Sequence, residues 1–540
     1  MVTGLSMLML AKNSVLPRIC RTYSPCYAIP RAPSSLSRMR EAACRGVSSV
    51  AGVALELDSG ISHPRPHSEI PGPMAWPILG TMPSMFTDPV YDSTRLPRLW
   101  ESYFKKYGRI FKLNLLGQGD VIFVSDPVDI EHIFKETFEN PIRPFFESLK
   151  KIRMNNKTKY FMENETGIFT EQGLNWWRVR SQVQVHAMKT KTVAKYLPQV
   201  DQVAQDFITR CGGLRDDKNE LPGEFMDELF KWALESLCLV ALNKRVGCLE
   251  GSEEGQRIIK AAITMMSCAN ECEYGIHLWR YFPTSPLRRM WKAHDDLLEV
   301  VITKVHEAKR DLEAREAEES GELNTLESLL TTPGLSFKDV VTFMMDLFFA
   351  GIDTTSSTAV FTMYNLARSP EKQTRLQQEL DQVLGDGRQP LTSHHMARLT
   401  YTKACIRETL RMLPTTPVNI RKLEKDITLQ GYRVKAGTKV FISMKESGMM
   451  EEYFPRATEF LPERWMRDQP DRLNNQYASI PFSVGTRMCV GRRLAEQELY
   501  VFLARLFLKY NLEYKYSEWD PVMRVLYKPD KPQNFTMTER

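Results

Sequence analysis

The sequence predicts a mainly α-helical protein with a small β region, and three observations lead there. Apolar positions recur with helical period over most of the chain beyond residue 124. Two short stretches, residues 111–124 and 427–443, instead carry β-branched or alternating patterns cut by glycines. One helical pattern, centred near residue 350, is apolar nearly all round and so belongs inside a core rather than upon one.

At 540 residues the chain can bury one very large core or two to three ordinary ones. An apolar fraction of 43% and a charged fraction of 26% are those of a globular protein. The isoelectric point of about 8.6 invites a nucleic-acid reading, which the distribution of charge excludes. Residues 1–40 hold Lys12, Arg18, Arg21, Arg31, Arg38 and Arg40, and no acidic residue precedes Glu41. Subtracting those six from 72 basic residues leaves 66, equal to the acidic count, so the basicity belongs to the leader. An Arg-rich, Ser-rich, acid-free leader with one short apolar stretch (residues 5–11) reads as a mitochondrial transit peptide, here residues 1–45. Residues 46–69 have the composition of a linker.

The ten cysteines form no C-x-x-C pair and no dense framework. Cys268 and Cys272 would share a helix face as small buried hydrophobes. Cys489 differs in its neighbours.

The elements follow in order. Ile70, Pro71, Gly72 and Pro73, then Trp76, Pro77 and Gly80, open the folded region at residue 70 with a stiff, turn-rich stretch. Residues 111–124, with Gly117 and Gly119 between two short runs, predict a hairpin. Residues 276–282, followed by Pro283, Pro286, Arg288 and Arg289, form an aromatic run edged with positive charge, suited to shallow membrane insertion. The charges of residues 310–322 suggest a solvated helix end and loop. The longest helix is expected to start at Ser336, where a hydroxyl and Asp339 have capping-box form, and to stop at Ser369 and Pro370. Such a rod is about 50 Å long. At its centre lie Gly351, Asp353, Thr354 and Thr355, locally unfavourable in a buried helix and therefore candidate functional residues. A second strand region, residues 427–443, is broken at Gly431 and Gly437.

The strongest chemical signal is Phe482, Gly485, Arg487, Cys489 and Gly491, spaced F-x-x-G-x-R-x-C-x-G before a helical pattern from Arg492 to Lys509. Backbone N–H groups and the dipole at a helix N-terminus stabilise a thiolate. Glycines let the backbone wrap closely around the sulfur, and Arg487 offers a fork for a carboxylate.

In this loop the chain resembles the cytochrome P-450 superfamily, and the resemblance extends from residue 70 to the C-terminus. It implies a single domain, residues 70–540, wrapped around haem b, with Cys489 as the axial iron ligand and Phe482 beside it. Trp176 and Arg180 match the family's W-x-x-x-R, whose end residues reach haem propionates; Arg487 and Arg421, the latter at the start of a short strand, match further propionate ligands. Glu408 and Arg411 form an E-x-x-R, an ordinary i,i+3 ion pair on its own, which in the family is joined by an arginine at the position of Arg464. Asp353 and Thr354 match the acid–alcohol pair that relays protons, and Gly351 would leave room for oxygen. Lys403 and Arg407, with Arg492 and Arg493, match basic positions that mitochondrial members present to a two-iron, two-sulfur ferredoxin, itself reduced by an NADPH-dependent reductase.

The implied function is a mitochondrial monooxygenase, peripheral on the matrix face of the inner membrane, acting on a lipophilic substrate such as a sterol or steroid. A pocket lined from residues 140–173, from the region of Trp279 and from residues 415–418 would receive it. A haem-thiolate isomerase or dehydratase, or a non-catalytic haem sensor, are the rival readings. Residues 443–453 lack the family's usual Arg-Asp-Pro run, which leaves the following loop unplaced.

Overall fold

The computed structural model describes residues 63–155, 165–187, 190–316, 323–467 and 475–540. The leader, the linker up to residue 62 and the last part of the charged stretch at 310–322 lie outside the described residues. The compact unit begins at Pro64, because Arg65 bridges to Tyr432 and lays its guanidinium 3.7 Å over that ring.

The principal helices are α1 (Gly173–Ala187), α2 (Leu197–Leu214), α3 (Phe225–Leu242), α4 (Glu253–Glu273), α5 (Ser285–Glu316), α6 (Phe337–Ala367), α7 (Pro370–Leu384), α8 (Thr400–Met412) and α9 (Arg492–Lys509). The main sheet has β1 (Ile110–Leu115), β2 (Gly119–Val124), β3 (Val418–Lys422) and β4 (Lys439–Ser443), in the order β1-β2-β4-β3. The expected hairpin is β1–β2, antiparallel, with Leu115 opposite Gly119. β2 then pairs in parallel with β4, Val121 opposite Lys439. Parallel neighbours need a crossover connection, and here the crossover is the helical body itself. Arg421 is the fourth of five residues in β3, not its start.

The central helix α6 starts at the expected cap: the Ser336 hydroxyl accepts from the Asp339 N–H and the Asp339 carboxylate accepts from the Ser336 N–H. It ends at Arg368 and packs against α3, α4, α5, α8 and α9. It is not the longest: α5 has 32 residues against 31. The charged surface of α5 hides its length, because solvated polar residues give no sharp stop signal. Asp346, the one acid in the apolar middle of α6, is fully buried and takes a hydrogen bond from Arg153 at 2.8 Å. Cys268 and Cys272 are both buried on α4.

A second buried ion network fixes the segment after β4. Arg411 Nε and Nη2 donate to the Glu408 carboxylate at 2.9 and 2.7 Å, and Arg464 Nε donates to it at 3.0 Å. The spare N–H groups of Arg411 bind the carbonyls of Gly448 and Ala457 at 2.7 and 2.8 Å. The region without the Arg-Asp-Pro run is thus anchored by its backbone, and a Cβ on Gly448 would meet the Arg411 carbonyl at 2.7 Å.

Removing one partner of a buried pair strands the other charge. Arg411→Ala is therefore expected to destabilise the protein by about 3–5 kcal/mol, read as a lower denaturant midpoint. A midpoint equal to that of the parent would show that the network does not carry this load.

Candidate active site

Between α6 and the loop before α9 lies a cavity of about 290 Å³. At roughly 10–15 Å³ per water it has room for some twenty waters or more, enough for a large planar group and a further ligand. Cys489 forms one wall. The loop that presents it turns through left-handed backbone at Ser483 and Gly485, and the Cys489 N–H closes it on the Phe482 carbonyl at 2.9 Å. The cysteine is exposed only in the sense that it opens into this cavity. Burial pushes its thiol up; the Gly491 N–H and the charges of Arg180, Arg492 and Arg143 pull the other way. Protein groups alone therefore leave the sulfur protonated at neutral pH, and a metal ion would displace that proton.

One edge of the cavity is crowded with guanidinium groups. Arg143, Arg180 and Arg487 line it, and Arg421 stands just behind Asn419 and Ile420. Arg487 lies 4.7 Å over the Trp176 ring and Arg421 4.7 Å over Phe134. Arg180 donates to the Met488 carbonyl at 2.8 Å. Burial, then repulsion from Arg143, Arg421 and Arg180, pushes Arg487 down to about 7. Burial and Arg143 push Arg421 down to about 9. Arginine keeps its proton in proteins, so the cluster must be relieved by bound anions instead. The Nε atoms of Arg143, Arg421 and Arg487 are buried without a hydrogen-bond partner. Glu498 does not supply the counter-charge, because burial pushes its carboxyl far up and leaves it neutral. Two carboxylates on the edge of a planar macrocycle, with its metal towards Cys489, fit this donor set.

The opposite wall comes from α6. Thr354 faces the cavity, and its hydroxyl donates to the Ala350 carbonyl at 2.7 Å, which leaves its oxygen lone pairs available. Asp353 is buried behind the wall and ion-paired with Lys528. Gly351 borders the cavity, yet a Cβ there would meet Leu237 at 2.9 Å. The glycine lets α3 approach α6 closely where both border the cavity.

The remaining lining is mostly apolar. Phe145, Phe146, Ile168 and Phe169 come from the expected stretch, as do Thr415, Thr416 and Val418. Trp279 does not reach the cavity; its indole N–H is spent on the Cys272 carbonyl at 2.8 Å, and Met266 of α4 and Tyr274 just after it line the space instead. Sequence reasoning also missed Arg143, which sits in a loop without a motif, and Lys528, whose partner is 175 positions away (528 minus 353).

On the outer side of the cysteine loop, Lys403, Arg407 and Arg492 converge on Tyr500, and Arg493 is exposed beside them. Two of the four are partly engaged. Lys403 Nζ donates to the Met396 carbonyl at 2.5 Å, and Arg492 pairs with Glu496 at 3.0 Å. In the aromatic run, Trp279 and His277 are buried while Ile276, Leu278, Tyr281 and Phe282 are exposed.

Comparison with known proteins agrees with this geometry. A family model described as cytochrome P450 matches residues 70–537. "Probable cytochrome P450 49a1" of Drosophila melanogaster is 35% identical, over 88% of this chain and 83% of that one. "Probable cytochrome P450 301a1, mitochondrial" and "Probable cytochrome P450 12a5, mitochondrial", of the same organism, are 34% and 35% identical, over 88% and 83% of this chain and 87% of each relative. Among solved structures, one titled "Retinoic acid bound cyanobacterial CYP120A1" shares the fold, with a TM-score of 0.71 at 19% identity, covering 89% of this chain and all of that one.

Serine in place of Cys489 removes the soft donor. The purified C489S variant is expected to lose the Soret signature of a thiolate-bound haem; absorbance spectra that keep it would exclude Cys489 as the ligand.

Proposed function

The chain belongs to the cytochrome P450 family, and we propose that it is a mitochondrial monooxygenase that takes electrons from NADPH through a ferredoxin reductase and a two-iron, two-sulfur ferredoxin and oxidises a lipophilic substrate. The observation that carries the reading is Cys489 opening, from the start of α9, onto a cavity edged by buried arginines and roofed by Thr354. Haem with an axial cysteine thiolate, the family's cofactor, supplies the oxygen chemistry, because the thiolate's electron push favours O–O cleavage.

The chain's own residues hold and serve that group. Arg143, Arg180, Arg487 and Arg421 take the propionates in charge-assisted hydrogen bonds, which removes their mutual repulsion. Trp176 holds the Arg487 guanidinium flat against its ring, and Phe482 packs below Arg492. Thr354 accepts and donates at the cavity surface, and Asp353, one residue back, carries the protons it needs. The apolar lining from Phe145, Phe146, Phe169, Phe343 and Leu526 excludes water and suits a sterol, a steroid or a similar lipid.

Support for ferredoxin comes from the Lys403, Arg407, Arg492 and Arg493 patch on the cysteine side, a shape and sign suited to a small acidic carrier. The acid-free leader and the mitochondrial names of two relatives support the compartment. Among the described residues no helix is long and apolar enough to cross a membrane. Ile276, Leu278, Tyr281 and Phe282, exposed next to Arg288 and Arg289, suit shallow insertion at the matrix face of the inner membrane.

Reconstitution with ferredoxin, its reductase and NADPH tests the proposal; a reduced carbon monoxide spectrum without NADPH consumption across a lipid panel would sink it. T354A is expected to keep haem while diverting most reducing equivalents to hydrogen peroxide, and full coupling in that variant would count against the role of Thr354. The K403E/R407E double variant is expected to raise the ferredoxin KM on the order of tenfold at low salt and to flatten its salt dependence. Unchanged kinetics would move the docking site elsewhere.

A further inference from the structure

Most polar groups on the cavity wall are already engaged. Thr354 bonds to the Ala350 carbonyl, Thr358 to Thr415 and Asp346 to Arg153, and Ser483 accepts from Arg421 at 3.4 Å. The Tyr274 hydroxyl is different. Tyr274 borders the cavity, and its hydroxyl makes no hydrogen bond among the described residues. Burial, then the neighbouring Glu273, pushes its phenol far up, so the group keeps its proton and remains a donor. The oxygen is nevertheless not sealed among packed side chains. At that depth, the space it opens into is the cavity.

The ring is held from several sides. Tyr274 caps α4, and its N–H donates to the Asn270 carbonyl at 3.1 Å. The Asn270 side chain accepts at 2.7 Å from the Val525 N–H, at the tip of the C-terminal hairpin, Val522–Arg524 paired with Leu526–Lys528. Glu273 accepts from the Ser148 N–H and hydroxyl at 2.8 and 2.6 Å, which ties the same corner to the short helix Glu147–Met154. The ring itself packs against Phe145 and Trp100, with centroids 5.5 and 6.2 Å away. A hydroxyl fixed in this way needs little further ordering when it meets a ligand. One such polar group in an apolar pocket sets the orientation of whatever enters.

We propose that Tyr274 determines specificity by donating a hydrogen bond to a carbonyl or hydroxyl oxygen of the substrate. The substrate is then an apolar skeleton that carries an oxygen function away from the carbon to be oxidised. Thr354 and Cys489 mark the reacting end, on α6 and the loop before α9, whereas the phenol reaches the space from α4. Ring contacts of 5.5, 4.7 and 5.4 Å lead from Tyr274 through Phe145 and Phe146 before α6 is met at Phe349. A pure hydrocarbon would leave the phenol unpaired, and a site built to pair rejects such a ligand. The inference rests on the haem-monooxygenase reading given above and names the substrate class within it.

The test uses the holoenzyme and imidazoles that ligate the haem iron, so that binding does not depend on knowing the substrate. Two series of 1-alkylimidazoles of increasing chain length are titrated by the red shift of the Soret band. One series ends in a methyl ketone, the other in a hydrocarbon group of the same shape. Y274F keeps the ring and its packing. It is expected to bind the ketone that reaches the hydroxyl about tenfold more weakly than the parent does, and the hydrocarbon twin within about twofold. The chain length at which the difference peaks measures the span from iron to phenol. Equal affinities of parent and Y274F for every ketone would overturn the proposal. So would an equal loss for ketone and hydrocarbon, which would leave the ring a packing role only. If neither series shifts the Soret band of the parent, the haem reading itself fails and takes this inference with it.

Discussion

Four buried guanidinium groups gathered at one edge of a cavity, among which Asp346 and Glu171 offset only part of the charge, set the central constraint on this protein. Arg487 is the extreme case, pressed on by Arg143, Arg421 and Arg180 at once. Backbone carbonyls of Pro141, Ile168 and Glu171 and the Gln172 side chain occupy its Nη groups without cancelling its charge. A cluster of that kind is tolerable only if dianionic ligand binding is part of the folded state, so haem binding and domain stability are thermodynamically linked. The loop at Arg143, α1, β3 and the cysteine loop each contribute a member, and the haem proposed to bind there would hold all four in register.

The second constraint is that α6 passes through the core carrying polar groups. Such groups need partners, and several find them on other elements. Asp346 takes Arg153, Asp353 takes Lys528, and the Thr358 hydroxyl bonds to that of Thr415 at 2.9 Å. The Thr354 hydroxyl turns back to its own helix. The helix thus acts as a rail to which the short helix Glu147–Met154, the C-terminal hairpin and the strand-leading segment at Thr415 are clipped. Those same clips position the cavity's roof.

The cysteine side is built on a different principle. Glu408, Arg411 and Arg464 bury three charges, and the arginines' other N–H groups reach carbonyls of the segment between β4 and the cysteine loop. Buried ionic groups of this kind hold position more than they add stability. Here they hold a long irregular segment, and with it the surface on which the basic patch stands.

Local patterns in the sequence determined a good part of this. The capping box at Ser336, the stop at Ser369, the β1–β2 turn at Gly117 and Gly119, and the helix after Cys489 depend on residues within a few positions of one another, and backbone sterics and short-range hydrogen bonds settle such features. The glycine-bracketed cysteine loop belongs to the same class. Tertiary structure alone decided the rest. Arg143 joins the arginine edge, Gly351 serves helix approach, Trp279 turns away from the cavity, and Lys528 meets Asp353. Each of these turns on which distant surfaces meet. Spacing along the chain does not carry that information, because burial, charge pairing and close approach are properties of the packed core.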